Sequence, residues 1–184
     1  GGSPDVFFSC DASFLDEVQE RFDPRVLLSN NPLVLICAPK NPLQLKGLAD
    51  LARPGLRVGL AHPKQSALGR LTQAQLEKEN LAAPFAASGN LKQDAPQGDF
   101  LVNALLTGAL DAAVVYASNA ALAGDKLSSV ALTPNAIAEQ LFAVRRNNTQ
   151  GYLLQRMFDA ATSDASKEQF SKLGFEWRVG EGPR

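Results

Sequence analysis

The sequence predicts an α/β fold with largely parallel sheets, and three observations carry that prediction. Short runs rich in β-branched and aromatic residues alternate along the chain with stretches of helical apolar spacing. The run "DAAVVY" at 111–116 has almost no polar alternation, as expected of a strand buried on both faces. The stretch "RVGLAHPKQSALGRLTQAQLEKE" at 57–79 passes from an apolar run, through a proline and small residues, directly into a helix pattern. That is the joint of a strand–turn–helix unit.

Composition sets the outer bounds. With 184 residues, 45% hydrophobic and 20% charged, the chain has enough apolar material for one domain or two small lobes. A net charge of −1 argues against a nucleic-acid surface. The longest apolar stretches are about one strand long, so no membrane span is expected. No basic-then-apolar leader stands at Gly1, so an export signal is expected to be absent or already removed. Cys10 and Cys37 both sit in apolar runs, "VFFSC" and "LVLIC". They read as two buried small hydrophobes, with a disulfide or a reactive thiol as the alternative.

Taken in order, "DVFFS" reads as a strand and "ASFLDEVQERF" as a helix. Phe14, Leu15, Val18 and Phe22 fall on one face of that helix, and Asp11 is its expected N-cap. "RVLLS" and "LVLICA" read as two strands split by a turn at Asn30, Asn31 and Pro32. "LQLKGLADLA" reads as a short helix, "LRVGLA" as a strand and residues 66–79 as a helix. The Ala-, Gly-, Asn-, Gln- and Pro-containing region 80–97 has weak periodicity and reads mostly as loop. "GDFLVNALLTG" is a helix with Leu101, Ala104 and Leu105 inward, closed by Gly108. After the buried strand come a short helix in "SNAALAG" and strands in "LSSVALT" and "QLFAVRR". Residues 152–161 and 164–173 are helical, with Leu153, Leu154, Met157 and Phe158 on the core face. "GFEWRV" is extended.

The candidate chemistry lies at helix starts. The first turn of a helix carries backbone N–H groups without intrahelical partners, and the macrodipole adds partial positive charge. Such an end either caps itself, meets water, or binds an anion without any cationic side chain. At 66–69, Ser66 supplies a hydroxyl while Ala67, Leu68 and Gly69 leave the backbone uncrowded. Gln97, Gly98 and Asp99 open a second helix in the same way. Tyr116 ends the buried strand just before a third opening, where its hydroxyl can donate to the same ligand. In open α/β sheets ligands gather beyond the carboxyl ends of strands, which is where these turns fall. Asp99 reads first as an acid complementing its own helix, His62 as a polar turn residue, and Lys64 as a solvated charge that can steer an anion. The lone His has no nucleophile or carboxylate at a recognisable spacing, and the carboxylates are scattered. No catalytic residue, cofactor site or metal site is nominated.

The segments "GGSPDVFFSCDASFLDEV", "RVLLSNNPLVLICAP", "LRVGLAHPKQSALGRLTQAQL", "ALLTGALDAAVVYASNA" and "FSKLGFEWR" follow one another in a familiar order. Together they resemble the periplasmic molybdate-binding proteins of ABC transporters, a branch of the type 2 periplasmic binding fold, over nearly the whole chain. The resemblance implies two α/β lobes, 1–33 with 140–184 and 34–139, joined by strands that cross near 31–35 and 140–144. It implies a tetrahedral oxyanion such as molybdate or tungstate, held in the cleft by uncharged donors. By position these are the backbone at Leu68 and at Gly98 and the hydroxyl of Tyr116. It further implies an ABC permease as partner and a periplasmic or extracellular location. Relatives begin with a strand and two serine-rich turns that have no counterpart before "GGSPDVFFS", so the first lobe is expected to be incomplete. Two serine ligands are then missing, the anion site is altered, and the exposed sheet edge is open to pairing between chains. The alternatives are an effector-sensing domain of a transcriptional regulator and a truncated relic that no longer binds.

Overall fold

The computed structural model describes residues 4–23 and 26–180. Residues 1–3 and Arg25, which open two of the expected segments, lie outside them. In chain order the first elements are β1 (Val6–Ser9), α1 (Ala12–Asp16), β2 (Val26–Cys37), β3 (Val58–Ala61), α2 (Ala67–Lys78) and α3 (Ala82–Ser88). Next come β4 (Leu91–Ala95), α4 (Gly98–Leu106), β5 (Ala112–Tyr116), α5 (Ala117–Ala123) and β6 (Ser128–Ala131). The chain closes with β7 (Ile137–Val144), α6 (Gly151–Ala161), α7 (Asp164–Lys172) and β8 (Glu176–Trp177). It divides into two compact units, Gly1–Asn31 with Ala138–Arg184, and Pro32–Ile137.

The Pro32–Ile137 unit is a sheet in the order β6-β2-β5-β3-β4. Only β4-β3 and β3-β5 are parallel, while β2 runs antiparallel to β5 and β6. The sheet is therefore mixed, not largely parallel. Its core joins Leu33 and Leu35 of β2, Val58 of β3, Leu68 and Leu76 of α2, Phe85 of α3, Leu101 and Leu105 of α4, and Val114 of β5. β5 is buried at every position up to Val115, which accounts for its unbroken apolar run.

Among the described residues, the other unit's strands pair in the order β1-β7-β2-β8. Its core is small: Leu15, Phe22, Leu141 and Ala143 cluster on one face with Phe7, Val18 and Leu27. The first expected helix breaks after Asp16 and resumes only as a 3-10 turn at Gln19–Arg21. Leu15 and Phe22 are buried, but Phe14 points outward.

Several local expectations give way to tertiary context. The two strands expected around Asn30-Asn31-Pro32 are one continuous twelve-residue strand. Pro32 is tolerated because β2 changes partners there: Ser29 and Asn30 pair with β8, whereas residues from Leu33 onward pair with β5. The helix expected at 43–52 shrinks to a 3-10 turn at Leu48–Ala52. Asn41 accepts from Leu45 N–H (2.9 Å) and donates to Leu45 O (2.8 Å), and Gln44 sits at φ +51°. Neither is compatible with starting a helix at Leu43. The region expected to be loop holds α3 and β4. β4 is an edge strand whose Leu91, Lys92 and Asp94 are exposed, so it lacks a clear apolar alternation. Cys10 is exposed and Cys37 buried, so burial holds for only one of the two. Burial pushes the Cys37 thiol pKa up. On α6 only Leu154 is fully buried, and Leu153 and Met157 face outward.

Candidate functional site

The sequence-nominated residues lie at one edge of the second unit's sheet. β3 sits between β4 and β5 and runs parallel to both, so the carboxyl ends of all three strands share that edge. Each strand feeds a helix: β3 leads to α2, β4 to α4 and β5 to α5. Neighbouring strands are about 4.8 Å apart, so the three helix starts are adjacent. Two contacts knit them together. His62 N–H, in the β3–α2 turn, donates to Ala95 O at the end of β4 (2.8 Å). Asn119 of α5 packs against Gly98 at the start of α4.

At α2, Ser66 is the N-cap and its hydroxyl oxygen accepts from Gly69 N–H at 3.4 Å. The Gly69 amide is thereby occupied. The first intrahelical bond runs from Arg70 N–H to Ser66 O (3.1 Å), and no described residue accepts from Ala67 or Leu68 N–H. Leu68 sends its side chain into the core, so what it offers at the surface of the turn is its amide. Gly69 has a separate structural duty. A Cβ there would lie 2.5 Å from Ala61 O and from the carbonyl of His62, so only glycine lets α2 approach its own entry turn this closely.

At α4, Gln97 makes no side-chain cap bond, and no described residue accepts from the Gly98 amide. Asp99 stands in the first turn, complementing the helix dipole, and its Oδ1 accepts from Asn119 Nδ2 at 2.8 Å. Asn119 also accepts from Tyr116 N–H at 3.2 Å. One amide side chain thus ties the start of α4 to the end of β5. Sequence reasoning missed Asn119. The available signal was its spacing, three residues after the Tyr116 N-cap, where a capping-box partner belongs.

Tyr116 pairs with Leu33 at the end of β5, is half-buried, and carries a buried hydroxyl oxygen. His62 accepts from Lys64 N–H through Nδ1 (3.0 Å) and places Nε2 3.6 Å from Asp94 Oδ2. It is a turn-stabilising residue. Among the described residues no group of three or more His, Cys, Asp or Glu can hold a metal ion, and no helix is long and apolar enough to cross a membrane. At this edge the Leu68 and Gly98 amides stand in the first turns of the helices that follow β3 and β4, and Tyr116 ends β5 on the other side of β3 from β4.

The chain is similar to the molybdate-binding protein ModA of Mycobacterium tuberculosis, with 26% identity over 183 residues covering 95% of this chain. It spans 66% of that relative's length. Among solved structures it resembles the periplasmic molybdate-binding protein of Azotobacter vinelandii (TM-score 0.74, 17% identity, 95% of this chain and 79% of the other). It also resembles the substrate-binding domain of a putative molybdenum ABC transporter from Clostridium difficile (TM-score 0.71, 18% identity, 96% and 78%). The fold is the type 2 periplasmic binding fold. Residues 1–176 match the family model described as bacterial extracellular solute-binding protein, and the chain belongs to that family.

Proposed function

We propose that this chain is the solute-binding component of an ABC uptake system and binds a tetrahedral oxyanion of the molybdate or tungstate class. It works outside the cytoplasmic membrane, hands its ligand to a permease, and catalyses no reaction. The observation that carries the reading is the placement of two open helix starts, at Leu68 and Gly98, beside Tyr116 on one sheet edge. Backbone amides at helix starts suit a dianion because their dipoles are already oriented and no buried cation has to be desolvated. Each hydrogen bond to a charged acceptor is worth about 1.5–3 kcal/mol. Three such donors account for a substantial affinity without any Lys or Arg. The similarity to molybdate-binding proteins supports the choice of ligand class. Among the nominated residues, Ser66 acts chiefly as the cap that shapes the first turn, and Gly69 as the residue that lets the turn close.

Isothermal titration of the chain with sodium molybdate, tungstate, sulfate and phosphate tests the proposal. Saturable heat at one site per chain with molybdate and tungstate, and weaker or no heat with the lighter anions, is expected. Absence of heat with all four overturns it.

A further inference from the structure

In the first turn of α4 a carboxylate and an open amide stand one residue apart. No described residue accepts from the Gly98 amide, and Gln97 makes no side-chain cap bond. Asp99 follows directly. A free carboxylate at this position is drawn to the positive end of its own helix. It also repels any anion that approaches the same amides. Left to itself, Asp99 is an internal competitor for an oxyanion.

Asn119 restrains that competitor. Its Nδ2 donates to Asp99 Oδ1 at 2.8 Å, while its Oδ1 accepts from Tyr116 N–H at 3.2 Å. The donor and acceptor belong to one planar amide, so anchoring Oδ1 on the backbone at the entry to α5 fixes where Nδ2 points. Gly98 makes room for this amide: a Cβ there would lie 2.6 Å from Asn119 Oδ1. Asp99 and Asn119 both line the groove between α4 and α5, together with Asn103, Leu122 and Lys126. The carboxylate is thus held toward α5, in a groove that also carries a lysine.

We propose, on the reading of Gly98 as an oxyanion donor, that Asn119 is a positioning residue for anion binding. By holding the Asp99 carboxylate in the α4–α5 groove, it keeps the Gly98 amide open to an external anion. What the Asn119 bridge controls is the position of a negative charge, beyond the joining of two helices. Asparagine suits the place because it must accept from Tyr116 N–H and donate to Asp99 at once.

Titration calorimetry with sodium molybdate in low-salt buffer tests the proposal, at a temperature where circular dichroism shows every variant fully folded. Asn119→Ala is expected to weaken binding at least about tenfold, the scale of one charge released beside a dianion. Adding Asp99→Asn to that variant is expected to return the affinity to within about threefold of the parent, since coupled residues are not additive. A purely structural Asn119 gives no such recovery. Asn119→Asp keeps the acceptor for Tyr116 N–H but cannot donate to Asp99, and it too is expected to weaken binding. Combined with Asp99→Asn, which rebuilds the bond with donor and acceptor exchanged, it is expected to regain most of the affinity. If the parent binds and Asn119→Ala binds equally well, this proposal falls while the oxyanion site stands. The same follows if Asp99→Asn recovers nothing in either background. If the parent itself gives no heat, the site falls and this proposal with it.

Discussion

Replacing Gly98 with alanine probes the joint between α4 and α5. A Cβ on Gly98 would lie 2.6 Å from Asn119 Oδ1, 3.0 Å from its Cγ and 3.3 Å from its Nδ2. A free side chain would swing aside at little cost, but Asn119 is held at both ends. Its Oδ1 accepts from Tyr116 N–H at 3.2 Å and its Nδ2 donates to Asp99 Oδ1 at 2.8 Å. Accommodating the methyl group breaks at least one of these bonds, each worth about 0.5–1.5 kcal/mol. Alanine's better helix propensity returns only part of that at a first-turn position. The net cost is about 1–2 kcal/mol, which for a chain of this length lowers the melting temperature by about 3–6 °C. Thermal melts of a double-mutant cycle with Asn119→Ala decide the cause. With the Asn119 side chain gone, Gly98→Ala is expected to be nearly neutral, giving a coupling of about 1 kcal/mol or more. Additive effects of the two substitutions would refute the clash as the mechanism.

Further expectations follow from the same geometry. Gly69→Ala places a methyl group against backbone atoms of Ala61 and His62 that cannot rotate away, so it is expected to destabilise by about 2–3 kcal/mol in urea melts. Its cost should persist in every side-chain background. Tyr116→Phe removes a single hydroxyl and is expected to weaken molybdate binding between a few-fold and about a hundredfold by titration calorimetry. Arg57 donates to both oxygens of Asp111 (2.7 and 3.1 Å) and to Gly108 O (2.8 Å), pinning the start of β3 to the α4–β5 turn. The guanidinium holds the Asp111 carboxyl below the usual carboxylate range. A depressed folded-state pKa gives stabilisation that is complete above the unfolded value, about 4, and is lost as pH falls through the lower folded value. Urea midpoints measured between about pH 5 and pH 2 should therefore fall less steeply for Asp111→Asn than for the parent.

The elements most readable from sequence were those whose local signals agree with their tertiary role. The β5 run is apolar throughout because both faces and both edges are covered. α2 carries Ser66 as its cap and Leu68 and Leu76 on its buried face, so its limits follow from spacing alone. Signals failed where tertiary contacts outweigh local ones. Asn30, Asn31 and Pro32 form a turn signature, yet the strand runs through them because its partner strands change at that point. β4 hides its identity by lying at an edge, and α3 by drawing on alanine and a proline in its first turn. The helical spacing of Leu153, Leu154, Met157 and Phe158 is real, but among the described residues Leu154 and Phe158 line a recess with β7 and β2 while Leu153 and Met157 are exposed. At the candidate site, residue types located the three turns. The cap that occupies Gly69 N–H and the Asn119 bridge depend on side-chain geometry that no spacing rule supplies.

The central claim is that the amides of Leu68 and Gly98 hold an oxyanion together with Tyr116. Titration of isotope-labelled protein with molybdate, followed by amide ¹⁵N–¹H correlation spectra, tests it most directly. Leu68 and Gly98 are expected to show the largest downfield amide-proton shifts and to saturate with a common affinity, which Tyr116→Phe weakens. Saturable binding whose largest shifts lie on other elements, with these two amides unmoved, would contradict it.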